Sequence, residues 1–231
     1  MHAVRVAVGA VSDLILLSGG LDSSTLLADA ANNGTAELAV TVDYGQRHAR
    51  EITSARAIAT YYDVELLVLD LTGWGRLLTG SALTDPDVAV PHGHYADESM
   101  RITVVPNRNS TLLSAAAGIA QAHDCDRVLT AVHAGDHPIY PDCRPKFIKA
   151  LAHATELATD GAVTIDAPFV GALKTDIARR AGKLGLPVGL TWSCYEGGEQ
   201  HCGRCGTCVE RIEALREAGV PDPTAYRSAT P

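Results

Sequence analysis

The sequence predicts an α/β protein with a doubly wound, five-stranded parallel sheet and a small cysteine-rich lobe at the C-terminus. Three observations lead to this prediction: short apolar runs alternate with stretches of helical periodicity, a Ser-Gly-Gly turn follows the first run, and four cysteines crowd into residues 194–208. Alternating strands and helices are typical of parallel sheets with crossover helices. We expect residues 1–187 to form the sheet domain and residues 188–231 the lobe.

The expected strands are short runs rich in Leu, Ile and Val, which suits strands buried on both faces. In chain order they are residues 13–17, 37–43, 64–70, 126–131 and 162–166, and the alternation of Val4, Val6 and Val8 is compatible with an additional edge strand. Helical periodicity occupies residues 22–32, 46–61, 110–123, 145–159, 172–184 and 209–218. Residues 71–106 are rich in Gly, Pro, Asp and His without periodicity, so we expect a long functional loop or lid there.

Composition narrows the class of protein. The 231 residues carry a formal net charge of -8, and an acidic chain lacks the many Lys and Arg contacts that grip nucleic acid, so no direct nucleic-acid binding is expected. No apolar run reaches the roughly 18 residues that a membrane span needs, and no secretory signal stands at the N-terminus. We therefore expect a cytoplasmic protein without membrane contact that acts on small molecules.

The turn after the first strand has the sequence SGGLDSS at residues 18–24. Two glycines let the backbone curl so that successive N–H groups point into one concavity, and the acid and hydroxyls stand in the first turn of a helix, whose dipole favours an anion. This arrangement suits pyrophosphate, with Asp22 helping to hold Mg²⁺. The alternative is a tight turn with a good helix cap. The chain has no G-x-x-x-x-G-K-[ST] motif, so a Walker-type phosphoryl transfer is not expected.

In this segment the sequence resembles the PP-loop ATP pyrophosphatases, which have an adenine nucleotide alpha hydrolase-like fold. The resemblance implies that ATP is split between its α and β phosphates to give AMP and pyrophosphate. We expect the nucleotide to contact Leu17, Ser18, Gly19, Gly20, Leu21, Asp22, Ser23, Ser24, Thr25 and Asp43.

The C-terminal cysteines have the spacing C-x7-C-x2-C-x2-C at Cys194, Cys202, Cys205 and Cys208. Intervening glycines let a short loop wrap four thiolates around one ion, and a closed shell of four sulfurs is typical of structural Zn²⁺. We therefore expect one structural zinc ion. An iron–sulfur cluster is the main alternative, and disulfides fit a reducing compartment least well.

Four further stretches narrow the resemblance: DYGQRH at 43–48, VPNRN at 105–109, YPDCR at 140–144 and WSCY at 192–195. Together they resemble the QueC family over residues 14–211. The resemblance implies an ATP-dependent, C–N bond-forming ligase of queuosine biosynthesis. Such an enzyme converts 7-carboxy-7-deazaguanine and ammonia to 7-cyano-7-deazaguanine through an adenylated acid and an adenylated amide, and each turnover consumes two ATP.

Catalytic roles are expected for Asp22, Asp136 and Lys174. Asp136 matches an acid of the family and would bind Mg²⁺ or guide the deprotonation of ammonia, whereas Lys174 would neutralise pyrophosphate. A turn or N-cap role for Asp136 and a solvated Lys174 are the structural alternatives.

The substrate is expected to contact Arg108, Asn109, Tyr140, Asp142 and Arg144. Asp142 would pair with the guanine-like edge of the substrate, and Arg144 would hold its carboxylate. The structural alternatives are an ion pair between Asp142 and Arg144 and a helix-capping role for Arg108 and Asn109.

Residues 137–139 read His-Pro-Ile, where the family more often has an aromatic residue, Ser and Gly. This departure motivates an alternative function, that of a relative that stops at 7-amido-7-deazaguanine or serves DNA modification or defence. A tRNA thiolase and a zinc-ribbon module with a vestigial loop are less favoured, because the chain is acidic and the loop is intact. A homodimer is expected, although no motif sets the oligomeric state.

Overall fold

The computed structural model describes residues 11–94 and 98–227, so the expected edge strand at Val4, Val6 and Val8 lies outside the described residues. Five parallel strands form one sheet, as predicted, and their order is β3-β2-β1-β4-β5. The strands are β1 (Asp13–Leu16), β2 (Ala36–Asp43), β3 (Glu65–Asp70), β4 (Arg127–Leu129) and β5 (Thr164–Asp166).

The helices are α1 (Leu21–Asn32), α2 (Arg50–Tyr61), the single turn α3 (Thr72–Gly75), α4 (Arg108–Ala122), α5 (Pro145–Ala158), α6 (Lys174–Leu184) and α7 (Gly206–Ala218). Short 3-10 helices occupy Glu98–Thr103, Ala134–Asp136, Pro141–Cys143 and Val188–Leu190. Within the described residues, no helix combines the length and the apolar character that crossing a membrane requires.

Helices cover both faces of the sheet, which confirms the doubly wound arrangement. Successive residues of β1 point to opposite sides, so Leu14 packs into the apolar layer that contains α4 and α5, and Ile15 packs into the layer that contains α1, α2 and α6. Both residues are fully buried. This two-sided burial explains why the strands read as continuous apolar runs rather than as alternating patterns.

Five of the six predicted helices begin elsewhere than expected, and the shifts of α2, α4 and α7 have local causes or consequences. Helix α2 begins four residues later than expected because Gln46 closes a turn instead: its Oε1 accepts from Tyr44 N at 2.8 Å and its Nε2 donates to Val42 O at 2.9 Å. Helix α4 begins at Arg108, after Asn107 in a left-handed conformation (φ 55°), so Arg108 and Asn109 form its first turn and do not cap it. Helix α7 begins at residue 206 and includes the last cysteine of the cluster.

The segment after residue 187 contains a 3-10 turn, the cysteine cluster and α7, which packs against α6. Arg211 of α7 is completely buried and holds this segment together. Its guanidinium donates to Thr191 Oγ1 at 2.6 Å and to Val188 O at 3.0 Å, and it pairs with Asp222 at 3.3 Å. A buried guanidinium is tolerated here because its donors are satisfied.

Candidate active site

A cavity of about 220 Å³ opens at the carboxyl ends of β1, β2 and β4. The chain runs outward from β1 through β2 to β3 and then returns to place β4 on the other side of β1, so the cavity lies where the strand order reverses. Ligands of open α/β sheets bind at this kind of position. The loop after β1 and the first turns of α1, α4, α6 and α7 also contribute to the wall.

The loop after β1 is clamped from two sides. Gly19 has φ 82°, and a Cβ atom there would lie 2.4 Å from the carbonyl oxygen of Glu51 and 2.6 Å from the amide of Ala55, so α2 packs directly on the glycine backbone. From the other side, Trp192 N donates to Gly19 O at 2.9 Å. The hydroxyls of Ser18 and Ser23 lie 3.0 Å apart at the cavity wall. The packing of α2 and the hydrogen bond from Trp192 therefore fix the backbone of the loop.

Some expected nucleotide-binding residues lie away from the cavity. Leu17, Ser18, Gly20, Leu21, Asp22 and Ser23 line it. Ser24 is fully buried, and Thr25 Oγ1 donates to Leu21 O at 2.7 Å within α1. Asp43 accepts from Gly45 N at 3.0 Å in the turn after β2. Gly19 does not line the cavity either, and nucleotide contacts of all ten expected residues stay predictions.

A cluster of charged side chains surrounds Lys174 beside the loop. Lys174 Nζ lies 2.5 Å from Asp22 Oδ2 and 3.4 Å from Glu210 Oε2. His133 Nε2 lies 3.8 Å from Asp22 Oδ2 and 3.7 Å from Asp136 Oδ1. The structure thus brings the three expected catalytic residues together and adds His133 and Glu210, which the sequence analysis did not single out.

Electrostatic interactions favour the ionised forms of Asp22 and Lys174, which form the central ion pair of this cluster. Burial by itself would raise the pKa of Asp22, but the charge of Lys174 and the proximity of His133 outweigh it and leave the pKa below the ordinary 3.8. Burial would lower the pKa of Lys174, yet Asp22 and Glu210 raise it above 10.5. Glu210 differs, because burial raises its pKa above 4.5 despite the nearby lysine.

His133 is oriented by its own turn. Gly135 N donates to His133 Nδ1 at 3.1 Å, and His133 N donates to Asp136 Oδ2 at 3.0 Å. An Nδ1 atom that accepts a hydrogen bond leaves the ring proton on Nε2, the atom that faces the two carboxylates. The turn therefore fixes which nitrogen of His133 can donate into the site.

The other end of the cavity contains Arg108, Asn109, Tyr44 and Tyr140. Arg108 Nε donates to Asn109 Oδ1 at 3.3 Å, and Tyr140 Oη lies 2.6 Å from Thr103 Oγ1. Burial would lower the pKa of Arg108, but its surroundings, first of all Tyr44, raise it, so the guanidinium stays charged. A charged arginine in this wall can hold a carboxylate or phosphate.

Asp142 and Arg144 lie outside the cavity wall. Asp142 Oδ2 accepts from Asn109 N at 2.9 Å and so satisfies a free amide in the first turn of α4. Arg144 is exposed, and its Nε donates to the carbonyl of His137 at 2.9 Å. The structure gives both residues structural partners, and a contact of either with the substrate stays a prediction.

The sulfur atoms of Cys194, Cys202, Cys205 and Cys208 all lie within 4.8 Å of one another and are buried. A tetrahedral zinc site with Zn–S bonds of about 2.3 Å places its sulfurs about 3.8 Å apart, so the four side chains fit one ion. His201 lies outside this shell and is buried. Its Nε2 accepts from Ser193 N at 3.0 Å, and its ring packs 4.2 Å from that of Trp192.

Sequence comparison shows which protein family this chain is similar to. The profile described as "Queuosine biosynthesis protein QueC" matches residues 12–219. A relative from Brucella anthropi is 52% identical over 94% of both chains and is named 7-cyano-7-deazaguanine synthase. Relatives with the same name come from Chelativorans sp., at 50% identity over 93% of both chains, and from Rhizobium meliloti, at 51% over 92% of this chain and 91% of the relative.

Among solved structures, an NMN synthetase from Francisella tularensis is similar in fold. The TM-score is 0.52 at 15% sequence identity, and the match covers 91% of this chain and 83% of the other. Identity this low supports the fold alone.

Proposed function

Because the chain belongs to the QueC family, we propose that it converts 7-carboxy-7-deazaguanine and ammonia to 7-cyano-7-deazaguanine with two ATP. The observation that carries this proposal is one cavity that joins the glycine loop, the Lys174 cluster and the Arg108 end. Such a cavity offers anion-binding groups for both a polyphosphate and a carboxylate.

The reaction needs two activations because neither a carboxylate oxygen nor an amide oxygen leaves readily at neutral pH. A carboxylate oxygen attacks the α phosphorus of ATP and expels pyrophosphate, and ammonia then displaces AMP to give the amide. The amide oxygen attacks a second ATP, again with loss of pyrophosphate, and AMP leaves as the C≡N bond forms. Atoms balance with two AMP and two pyrophosphate per nitrile.

The loop and Lys174 would stabilise the charge of each departing pyrophosphate. Lys174 remains protonated because Asp22 and Glu210 raise its pKa, so its charge is present throughout the neutral range. Asp136, whose carboxylate orients His133, is the proposed acceptor of a proton from the attacking ammonia. Arg108 and Asn109 would hold the substrate at the other end of the cavity.

Mg²⁺ would neutralise the polyphosphate when bound with ATP. The carboxylates of Asp22, Asp136 and Glu210 suit it, since hard cations prefer oxygen ligands, and Asp22 Oδ1 is buried with no hydrogen-bond partner among the described residues. We assign Zn²⁺ to the four buried cysteines, with a structural role, because a shell of four sulfurs leaves no position for a reacting water.

Cysteine usage and net charge bear on where the enzyme works and what it binds. Four thiols gathered for a metal, without disulfides among the described residues, suit a reducing cytoplasm. The acidic charge fits an enzyme that does not bind nucleic acid directly. A homodimer, and a boundary near residue 187 between the sheet domain and the zinc lobe, complete the proposal.

The alternative that stops at 7-amido-7-deazaguanine, or serves DNA modification or defence, gains no support from the segment that motivates it. Residues 137–139 do not line the cavity. Ile139 is buried in the apolar core, and the carbonyl of His137 accepts from Arg144. The residues that differ from the family pattern therefore lie behind the cavity wall.

The test is to incubate the zinc-loaded protein with 7-carboxy-7-deazaguanine, ATP, Mg²⁺ and ammonium, and to quantify nitrile, amide and AMP by mass spectrometry. We expect nitrile with two AMP per product. Amide with one AMP per product would favour the alternative, and no AMP would refute an adenylating activity. An Asp22→Asn variant serves as the negative control because it removes the charge that faces Lys174.

A further inference from the structure

One carboxylate in the cavity wall stands apart from the Lys174 cluster. The acids that line the cavity among the described residues are Asp22, Glu51, Asp136 and Glu210. Three of them surround Lys174 and His133, whereas the contacts of Glu51 are with Gln46 and His48. The activation chemistry described above gives Glu51 no role.

Two side chains hold the Glu51 carboxylate in place. Gln46 Nε2 donates to Glu51 Oε1 at 2.9 Å, and His48 Nε2 lies 3.3 Å from Glu51 Oε2. Gln46 is itself bonded to the backbone at the end of β2, and the His48 ring packs 5.3 Å from that of Tyr195. Each carboxylate oxygen has two lone pairs, so both oxygens retain acceptor capacity. Glu51 is thus a preorganised acceptor whose side chain is only 14% exposed.

The neighbours of Glu51 complement a flat molecule that is anionic at one end and carries donors at the other. Tyr44 shares the cavity wall with both charges. Burial raises its pKa to about 12, Arg108 acts against this shift, and Glu51 adds to it. Tyr195 and Trp192 supply aromatic surface in the same wall. Arg108 suits the carboxylate of a deazapurine, and Glu51 suits a pair of N–H donors at the opposite edge.

We propose that Glu51 accepts hydrogen bonds from the ring N1–H and the 2-amino group of the substrate, and so selects a 2-amino-4-oxopyrimidine edge. This inference rests on the proposed function, because it names the part of the substrate that the cavity reads. Asp142, the acid that the sequence suggests for this task, is engaged at the first turn of α4 instead. Glu51 is a specificity-determining residue and takes no part in the transfer of AMP.

The proposal predicts how the enzyme discriminates between substrates. An analogue of 7-carboxy-7-deazaguanine that lacks the 2-amino group would leave one carboxylate lone pair of Glu51 desolvated and unpaired. A site built around a hydrogen bond rejects a ligand that cannot make it. The wild-type enzyme should bind the analogue about 10- to 100-fold more weakly than the full substrate, since hydrogen bonds to charged groups contribute about that factor.

The experiment measures binding by calorimetry and KM by AMP release for both compounds, with wild type, Glu51→Gln and the exposed control Glu65→Gln. A glutamine at position 51 cannot accept from two donors with both of its polar atoms, so Glu51→Gln should lose most of the discrimination and bind the full substrate about 10- to 100-fold more weakly. Glu65→Gln should match wild type. The Kd for ATP should stay within about twofold in all three proteins.

Three outcomes would overturn the inference: equal affinity of the wild type for both compounds, undiminished discrimination by Glu51→Gln, or a change in ATP affinity in place of substrate affinity, which would assign Glu51 to the adenine. Wild-type protein that neither binds nor adenylates 7-carboxy-7-deazaguanine would instead overturn the proposed function. If Glu51→Gln does not fold, equal affinity of the wild type for both compounds would still overturn the inference.

Discussion

The sheet and the segment after residue 187 are stabilised in different ways. The sheet buries two continuous apolar layers of Leu, Ile, Val and Ala side chains, one on each face. The C-terminal segment adds Val188, Ala214 and Leu215 to one of these layers, whereas its four cysteines lie in a much smaller apolar cluster. The loop that carries the cysteines therefore needs other stabilisation, here the four thiols and the buried Arg211.

Both regions nevertheless supply the same site. The sheet contributes the glycine loop, His133 and Lys174, and the C-terminal segment contributes Trp192 and Glu210. The less apolar region therefore completes a cavity that the sheet leaves open. The stability of the C-terminal segment and the activity of the shared site should therefore be coupled.

The largest effect is expected from loss of the metal. Zinc contributes on the order of 10 kcal/mol to small domains that fold around it, so chelation or Cys205→Ser should unfold the C-terminal segment and abolish AMP release. Calorimetry with metal analysis should show a new transition at lower temperature, while the sheet melts separately. Cys125→Ala, in a cysteine outside the cluster, should keep its metal. A chelated protein with full activity would contradict the coupling.

The second largest effect is expected from removing the positive charge of Lys174. Lys174→Ala should reduce kcat/KM for AMP release by about 100- to 1,000-fold, because the departing pyrophosphate loses the cation proposed to stabilise it and Asp22 loses its ion pair with Lys174. Lys183→Ala, on the exposed side of the same helix, should behave as wild type. A loss below about tenfold would show that the loop amides stabilise pyrophosphate on their own.

The ion pair also predicts a pH dependence of stability. Because the pKa of Asp22 is lowered on folding, its contribution to stability is fully present above pH 3.8. That contribution is lost as the pH falls through the lowered pKa. Because the pKa of Lys174 is raised on folding, its contribution to stability is fully present below pH 10.5. That contribution is lost as the pH rises through the raised pKa. The difference in unfolding free energy between wild type and Asp22→Asn should therefore be flat from about pH 5 to 9. Denaturation across that range would reveal any slope.

The clamp on the loop predicts a smaller effect with a matched control. Gly19→Ala combines an unfavourable φ with backbone clashes against α2 and should cost about 2 to 4 kcal/mol, together with activity. Gly45→Ala has a similar φ of 77° but open space around it, so only the conformational cost of about 1 kcal/mol remains. Urea denaturation of the two variants measures the difference. Equal losses would mean that α2 yields to the added methyl group.

The smallest effect tests the contribution of α7 to the cluster. Glu210→Gln keeps the shape of the side chain but removes one of the two negative charges beside Lys174, so kcat/KM should fall about tenfold. Glu213→Gln, on an exposed part of the same helix, should have no effect. An unchanged Glu210→Gln enzyme would show that the C-terminal segment serves the site only by closing it.

The contacts that the sequence could not predict join residues far apart in the chain. Lys174 and Asp22 are separated by 152 residues, and Asn109 and Asp142 by 33. Both members of the first pair are recognisable as candidates because they stand in first helical turns near predicted strand ends. The role of Asp142 could not be predicted in this way. Its motif suggests a position beside the substrate, whereas the packing of α4 places a free backbone amide within its reach.

The sequence by itself determined the parallel sheet, the glycine loop and the four-cysteine site. Each depends on residues close together in the chain, where apolar runs, glycine freedom and cysteine spacing act directly on the local backbone. Only the tertiary structure decided that Glu210 joins Lys174, that Asp142 serves α4 and that Glu51 lines the cavity. These outcomes depend on which helix ends meet at the sheet edge, and side-chain packing in three dimensions decides that, not spacing along the chain.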